Sequence, residues 1–265
     1  MRRLHHSRSD AGEARALEGF DAGPLEGDLV GSSRDEGPSL RPYAADLSEP
    51  VVGVAQTTLA ADEDRDLRRA RELEGLGRRL DAVLVLQQAL VDRPEAVDVR
   101  LALASMLDRN GDTEDAIEVL TAGLARGFAN PQLLVPRGAL LGKLNRHTEA
   151  EADLRRALET EPNQAEAHLQ LGIALVRRGR IPEALPVLQR ARQLDQDNGE
   201  AAFHLGEVLY HLGDLSAALD TLRRATELAP RDPRAFKLQG RLLDRQGRTE
   251  EAMVMHRKAR DLGGR

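Results

Sequence analysis

Residues 165–198 read AEAHLQLGIALVRRGRIPEALPVLQRARQLDQDN, a 34-residue stretch whose pattern recurs along most of the chain. Counting outward from it, units begin at residues 63, 97, 131, 165, 199 and 233 with no insertion between them. Every unit has alanine at its twentieth position and leucine at its eleventh: Ala82, Ala116, Ala150, Ala184, Ala218 and Ala252; Leu73, Leu107, Leu141, Leu175, Leu209 and Leu243. Two positions that keep the same residue in all six units predict a stacked repeat architecture. Such an architecture favours a binding function over catalysis.

Each unit is predicted to form two helices separated by a tight turn. Positions 3 to 14 carry apolar residues at helical spacing, as at Ala167, Leu171 and Leu175. A second helix follows to about position 30, where a proline at position 32 ends it in three units. The turn falls at position 15, which is glycine or asparagine, residues that adopt the left-handed conformation beyond a helix end: Gly77, Gly111, Asn145, Gly179, Gly213 and Gly247. We therefore expect an all-α fold of six antiparallel helix pairs.

Small residues recur where the helices are expected to approach one another. Positions 8 and 27 are alanine or glycine in every unit. Leucine at position 24, from Leu86 to Leu222, is predicted to fill the space beside them, and His256 breaks this column in the last unit. Because one helix pair cannot bury both of its apolar faces, we expect stability to come from the stacking of neighbouring units.

The chain divides into two regions of different composition. Residues 1–62 contain six Arg against eleven Asp and Glu, so they carry −5 of the formal charge of −6. Apolar residues there are too sparse to offset the entropy of ordering, and we predict a disordered acidic arm. Residues 63–265 are predicted to form the repeat array, in units 63–96, 97–130, 131–164, 165–198, 199–232 and 233–265.

The composition argues against several classes of function. The chain has no Cys, which excludes disulfides, thiol nucleophiles and Cys-bound metals. The repeats are close to neutral and poor in aromatic residues, so neither the basic nor the stacking surface of a nucleic-acid-binding protein is expected. There is no apolar run long enough to span a membrane, no phosphate-binding loop and no nucleophile elbow. We expect a cytoplasmic protein that is not an enzyme, binds no cofactor and does not insert into membranes.

The Leu-Gly pairs at 171–172 and 205–206, the alanine columns and the terminal proline resemble the tetratricopeptide repeat over residues 63–265. The usual aromatic positions of that family are filled mostly by leucine here. The resemblance implies a right-handed superhelical solenoid whose first helices line a concave groove. Proteins of this family usually hold a peptide or another protein in that groove, so the resemblance implies a protein-interaction adaptor or scaffold.

Positions 2, 5, 9, 12 and 13 of the first helices are not needed for packing and are predicted to face the groove. In the third to fifth units they are mostly apolar and form the candidate partner-binding groove: Val135, Ala139, Leu169, Ile173, Val176, Phe203, Glu207 and Tyr210. Phe203 and Tyr210 are the expected anchors, since aromatic residues dominate many interfaces. The alternative is that tight curvature buries these residues against one another.

A row of mostly basic residues follows position 13 of the same helices: Arg109, Lys143, Arg177, His211 and Arg245. One interpretation is that this row fixes the direction of a charged peptide, which would affect its register and association rate more than its affinity. Arg178 and Arg180 lie beside the row and strengthen this interpretation. The other interpretation is that bases near a helix end complement the helix dipole.

Two further hypotheses come from single helices. Glu200, His204, Glu207 and His211 share one helix face, a spacing that suits Zn²⁺ but more often forms a polar groove wall. The array also stops at residue 265 without a polar capping helix, which such arrays usually need. A structural protein that forms a homodimer through its last helix pair is therefore the alternative to the adaptor.

Overall fold

A computed structural model describes residues 65–125 and 130–264, all of which belong to one compact unit, Pro50–Arg265. Within these ranges the chain forms twelve α-helices and no strand. The predicted acidic arm lies outside the described residues. The helices are α1 (65–75), α2 (Arg79–Asp92), α3 (Val97–Asn110), α4 (Thr113–Ala125), α5 (Leu134–Lys143), α6 (His147–Thr160), α7 (Ala165–Arg177), α8 (Ile181–Leu194), α9 (Gly199–Leu212), α10 (Leu215–Leu228), α11 (Pro233–Arg245) and α12 (Thr249–Gly263).

The turn inside every helix pair has the predicted conformation. All six residues at position 15 have positive φ, from 60° at Asn145 to 97° at Gly111. This backbone conformation lets the N–H at position 16 donate to the carbonyl of the leucine at position 11. Arg180, for example, donates to Leu175 at 2.9 Å. The bond spans five residues and closes the left-handed helix end that glycine favours. The leucine column therefore has a backbone role at each turn besides the packing of its side chains.

Close approach of the two helices in a pair explains the small residues at position 8. A Cβ built on Gly138 would lie 2.8 Å from Leu154, and one built on Gly206 would lie 2.7 Å from Leu222. Real Cβ atoms do not come so near to other atoms, so no larger residue fits without movement. In the last unit Gly240 faces His256 in place of leucine. The predicted pairing of positions 8 and 24 is thus confirmed.

The buried apolar residues of the described ranges form two clusters, one that extends from the first unit into α9 and one in the fifth and sixth units. Leu86, Leu120, Leu154, Leu188 and Leu222 are all fully buried, and the alanines at position 20 are fully buried beside them. From α2 to α12 each helix packs against the next one along the chain. The first helices of successive pairs also contact one another, α5 with α7, α7 with α9 and α9 with α11. These four helices therefore form one wall.

The third unit departs from the predicted helix at its start. A 3₁₀ turn covers Pro131–Leu133, and α5 begins only at Leu134. Pro136 lacks the N–H that an α-helix would direct to the carbonyl of Gln132, so the first turn does not close in the α form. The side chain of Asn130 instead accepts a hydrogen bond from the N–H of Gln132 at 2.8 Å. α5 is consequently shorter than the other first helices that follow it.

Candidate functional site

A cavity of about 500 Å³ opens along the wall formed by α5, α7, α9 and α11. The first helices of four consecutive units contribute to it, as the sequence predicts for the concave side of the array. The side chains and backbone that line it belong to Gly138, Ala139, Gly142, Lys143, Asn145, His147, Ala150, Gln170, Ile173, Ala174, Arg177, Glu200, His204 and Arg234. We call this cavity the groove.

Four of the predicted site residues line the groove: Ala139, Ile173, Lys143 and Arg177. Ala139 and Ile173 are half-buried and form its apolar floor, whereas Lys143 and Arg177 are exposed. Val176, Glu207 and Tyr210 are also half-buried but lie outside its lining. The open apolar surface is thus smaller than the sequence predicts.

The predicted residues at position 5 are not open surface. Val135 is 5% exposed, Leu169 is 2% exposed and Phe203 is 7% exposed, so all three belong to the core. The guanidinium of Arg234 lies over the ring of Phe203, 4.8 Å from its centroid, and the ring meets His204 edge-on. These three side chains are therefore buried, as the alternative of tight curvature also expects, and they offer no open apolar surface to a ligand.

Sequence reasoning missed position 6 of the first helices, which supplies Gln170 and His204 to the groove. Arg234 at position 2 of the sixth unit and Gly142 at position 12 of the third also line the groove; both occupy predicted groove positions, but neither was among the candidate residues. A signal for position 6 exists in the sequence, since positions 2, 6, 9 and 13 are three or four residues apart and share one helix face. Choosing position 5 over position 6 shifted the predicted stripe by about 100° around the helix.

The basic row forms contacts between successive units. Arg109 donates to both carboxylate oxygens of Glu74, at 3.0 and 3.1 Å. Lys143 contacts the carboxylate of Asp108 in the same way. In each pair position 13 of one unit binds position 12 of the unit before it. We call this series of contacts the inter-repeat ladder.

Towards the C-terminus, positions 12 and 13 of successive units are joined by a cation–π contact instead of an ion pair. Position 12 of the fifth unit is Tyr210, and the guanidinium of Arg245 lies 5.1 Å from the centroid of its ring. His211 meets the same ring edge-on, with centroids 5.7 Å apart. The tyrosine predicted as an anchor is therefore already in contact with two members of the predicted basic row.

The inter-repeat ladder has no acid opposite Arg177. The corresponding position 12 is Gly142, and a Cβ built there would meet no atom within 4 Å. Within the described ranges Arg177 makes no hydrogen bond and no ion pair, while both residues line the groove. The groove therefore contains open space beside an exposed guanidinium.

His204 lies between two carboxylates on α9. Its Nδ1 is 3.0 Å from Oε2 of Glu207 and its Nε2 is 3.8 Å from Oε1 of Glu200, while the side chain itself is buried. Burial lowers the pKa of His204, but the interactions with Glu200 and Glu207 outweigh it and raise the pKa above its ordinary value. The same interactions lower the pKa of both glutamates. The buried imidazole thus links the two carboxylates on the groove side of α9.

Arg178 and Arg180 do not extend the basic row into the groove. Both bind the buried carboxylate of Glu151 in the preceding unit, and Arg180 Nη1 lies 2.6 Å from Oε1. Arg155 reaches the same oxygen at 2.8 Å. Burial raises the pKa of Glu151, but the three guanidinium groups outweigh it and hold the pKa below its usual range. These arginines join the third unit to the fourth.

Two searches of the described stretches bear on other functions. No three His, Asp or Glu side chains within them converge closely enough to hold a metal ion, the face of α9 included. No helix within residues 65–125 and 130–264 has both the length and the apolar character needed to cross a bilayer.

Sequence profiles of the tetratricopeptide repeat match residues 67–131 and 136–198, and a second profile of the same description matches residues 175–242. The chain belongs to the tetratricopeptide repeat family. Its twelve helices are accordingly the paired helices of a tetratricopeptide repeat solenoid. No curated protein is significantly similar to the chain in sequence.

Solved tetratricopeptide repeat structures resemble the array. YrrB, described as a TPR protein with an unusual peptide-binding site, is 25% identical with a TM-score of 0.54, over 67% of this chain and 91% of YrrB. PilF of Pseudomonas aeruginosa has a TM-score of 0.67 at 19% identity, over 77% of this chain and 93% of PilF. MamA of Desulfovibrio magneticus has a TM-score of 0.56 at 20% identity, over 63% and 94% of the two chains. The last two show the fold alone.

The last tetratricopeptide repeat presents the face that a further unit would cover. Position 21 is buried in four of the first five units, as at Ile117 and Leu219, but the corresponding Met253 is 58% exposed. Position 28 is leucine in the first three units and the exposed Arg260 in the last. This end therefore combines one open apolar side chain with a charged one.

Proposed function

We propose that this protein is an adaptor, not an enzyme, and that its groove holds a segment of a partner protein. The observation that carries the proposal is the combination found in one cavity: a half-buried apolar floor at Ile173 and Ala139 beside the exposed Arg177, which has no partner within the described chain. Concave, mostly preformed surfaces with a few polar groups are typical ligand sites. Family membership and the peptide-binding site named for YrrB support a peptide as the ligand.

Each part of the groove has a task in this proposal. Ile173 and Ala139 contact apolar side chains of the segment. Gln170 donates through its Nε2 to Glu166 at 2.7 Å, which holds the amide in place and leaves its oxygen for a backbone N–H of the segment. Lys143 and Arg177 set the direction of a charged segment, an effect stronger on register and association rate than on affinity.

Affinity capture from the native cell tests the proposal. Wild-type protein is compared with an Ile173→Glu, Arg177→Glu variant, which places acids on the floor and at the cation. The matched control is Val254→Glu, Arg257→Glu, which changes the same kinds of residue on the exposed face of α12. Circular dichroism must show equal helicity for all three. We expect partners that the groove variant loses and the control keeps.

Two outcomes of the affinity capture would contradict the proposal. If the groove variant recovers the same partners as wild type, the groove is not the binding surface. If only the α12 control loses partners, the exposed face of α12 binds instead.

Self-assembly is the second candidate, and the exposed Met253 and Val254 on α12 are the observation that favours it. Size exclusion with light scattering distinguishes the two. A dimer that persists on dilution and dissociates in Met253→Glu supports assembly through the last helix pair. A monomer at all concentrations leaves only the adaptor.

A further inference from the structure

The inter-repeat ladder places one carboxylate at each of the first two junctions between first helices. At the first junction this is Glu74, which binds Arg109, and at the second it is Asp108, which binds Lys143. Both pairs join residues 35 apart in sequence, one unit plus one position. At the third junction the same spacing assigns the two positions of the ladder to Gly142 and Arg177.

At the third junction the cation is present and the acid is not. Arg177 stands at position 13, but Gly142 has no side chain and the space around it is open to at least 4 Å. Lys143 and Arg234, the other cations that line the groove, bind Asp108 and Asp232. Within the described chain Arg177 is thus the cation of the groove that lacks a carboxylate partner.

The charged neighbours of Arg177 do not take that place. Glu207 is near enough for Arg177 to lower its pKa, after the larger effect of its hydrogen bond with His204. That hydrogen bond holds the carboxylate on α9, and no ion pair with Arg177 forms. On the other side, burial and then the charges of Arg177 and Arg178 lower the pKa of His147, another groove residue. Arg177 is therefore close enough to both side chains to affect their pKa values, yet no carboxylate of the described chain is bound to its guanidinium.

We propose that the groove selects partner segments with an aspartate or glutamate side chain, which enters the space beside Gly142 and binds Arg177. The inference rests on the proposed function and adds the chemistry of the partner. The acid would complete the inter-repeat ladder in trans, with Ile173 and Ala139 contacting apolar residues on either side of it. An arginine–carboxylate contact that is partly shielded from water changes affinity by about tenfold.

Peptide display on the purified full-length protein tests the inference. The library carries random 12-residue segments fixed at both ends, so that no terminal carboxylate is present, and a second library leaves the C-terminus free. A peptide counts as a groove ligand if Ile173→Glu abolishes its binding. We expect groove ligands from the first library to share one acidic position.

A cycle between protein and peptide then locates the acid. The selected peptide and its Glu→Gln version are titrated by fluorescence anisotropy against wild type, Arg177→Gln, Gly142→Asp and Gly142→Asn. On wild type the Glu→Gln peptide should bind about tenfold more weakly, and on Arg177→Gln the two peptides should bind equally. Gly142→Asp supplies the acid in cis and should remove the preference. The isosteric Gly142→Asn fills the same space without a charge, so it should weaken the binding of both peptides but leave Arg177 without a carboxylate. A preference abolished equally by a third variant, Gly142→Ala, which leaves most of the space open, would contradict the inference.

Three further results overturn the inference. Groove ligands without a shared acid, or with one whose change to Gln has no effect, leave the proposed function intact and refute the acidic specificity. If ligands are recovered only from the library with a free C-terminus, Arg177 binds the terminal carboxylate of a peptide and not an acidic side chain. If no selected peptide depends on Ile173, the proposed function itself fails, and the inference fails with it.

Discussion

The guanidinium of Arg234 covers the ring of Phe203, with Cζ 4.8 Å from the ring centroid, while its Nη2 binds Asp232 at 2.9 Å. The ring on α9 is thereby separated from solvent by a residue of α11. Phe203 cannot act as the open aromatic anchor that its sequence position predicts. It is a core residue at the junction of the fifth and sixth units, and the cation above it forms part of the groove.

Replacing Phe203 with Ala should destabilise the array by about 3–5 kcal/mol, because the change leaves a cavity between α9 and α11. Arg234→Ala removes the cation–π contact with Phe203 and the ion pair with Asp232, both partly exposed, and should cost about 0.5–2 kcal/mol. Urea unfolding followed by circular dichroism measures both. A loss below about 1 kcal/mol for Phe203→Ala would show that the ring is not packed as described.

The same substitution at two glycines should have opposite effects. At Gly172 a Cβ would collide with the fully buried Leu188, so Gly172→Ala should destabilise by about 1–3 kcal/mol. At Gly142 no atom lies within 4 Å, so Gly142→Ala should stabilise by up to about 1 kcal/mol through helix propensity. Thermal unfolding of the two variants gives the comparison. A stabilising Gly172→Ala would contradict the close approach of α7 and α8.

Glu151 joins the third unit to the fourth, so Glu151→Gln should destabilise by about 1–3 kcal/mol at pH 7. The pKa of this carboxyl is lowered in the folded state. Its contribution is therefore complete above the unfolded pKa of about 4.3 and is lost as the pH falls through the folded pKa. Urea unfolding of both proteins from pH 7 to pH 3 should show the difference shrinking below about pH 4.3. A constant difference would mean that the charge of Glu151 is not what stabilises the junction.

His204 gives the array a second pH dependence of opposite sign. Because its pKa is raised in the folded state, the stability it contributes is complete below the unfolded pKa of about 6.5 and is lost as the pH rises through the folded pKa. Because the pKa values of Glu200 and Glu207 are lowered in the folded state, the stability that these two carboxylates contribute is retained down to about pH 4.3. Wild type should therefore be more stable at pH 6 than at pH 9, relative to His204→Gln.

The exposed His211 on the same helix provides the control for this measurement. His211→Gln removes an imidazole that contacts Tyr210 and that affects the pKa of Glu207 less than His204 does. It should leave the difference between pH 6 and pH 9 as in wild type. If His211→Gln removes the difference and His204→Gln retains it, the assignment to the buried imidazole is wrong.

The site was less predictable than the fold, and position 5 shows why. Val135, Leu169 and Phe203 are apolar, as residues of an open groove floor would also be, and the only local signal for position 6 is its helical spacing from positions 2, 9 and 13. Which of the two opens into the groove depends on how far each first helix rotates against its neighbour. The charged residues at positions 12 and 13 are visible when the units are aligned. Which acid pairs with which base follows only from knowing which units are in contact.

The sequence by itself determined the unit length, the left-handed turns and the pairing of glycine with leucine. Each of these depends on one residue's backbone freedom or bulk, as at Asn145 with its φ of 60° or Gly206 beside Leu222. Only the tertiary structure decided that Phe203 is covered and that Arg177 faces the open space at Gly142. Those relationships join different units, so they depend on the angle at which the units stack, and no single unit encodes that angle.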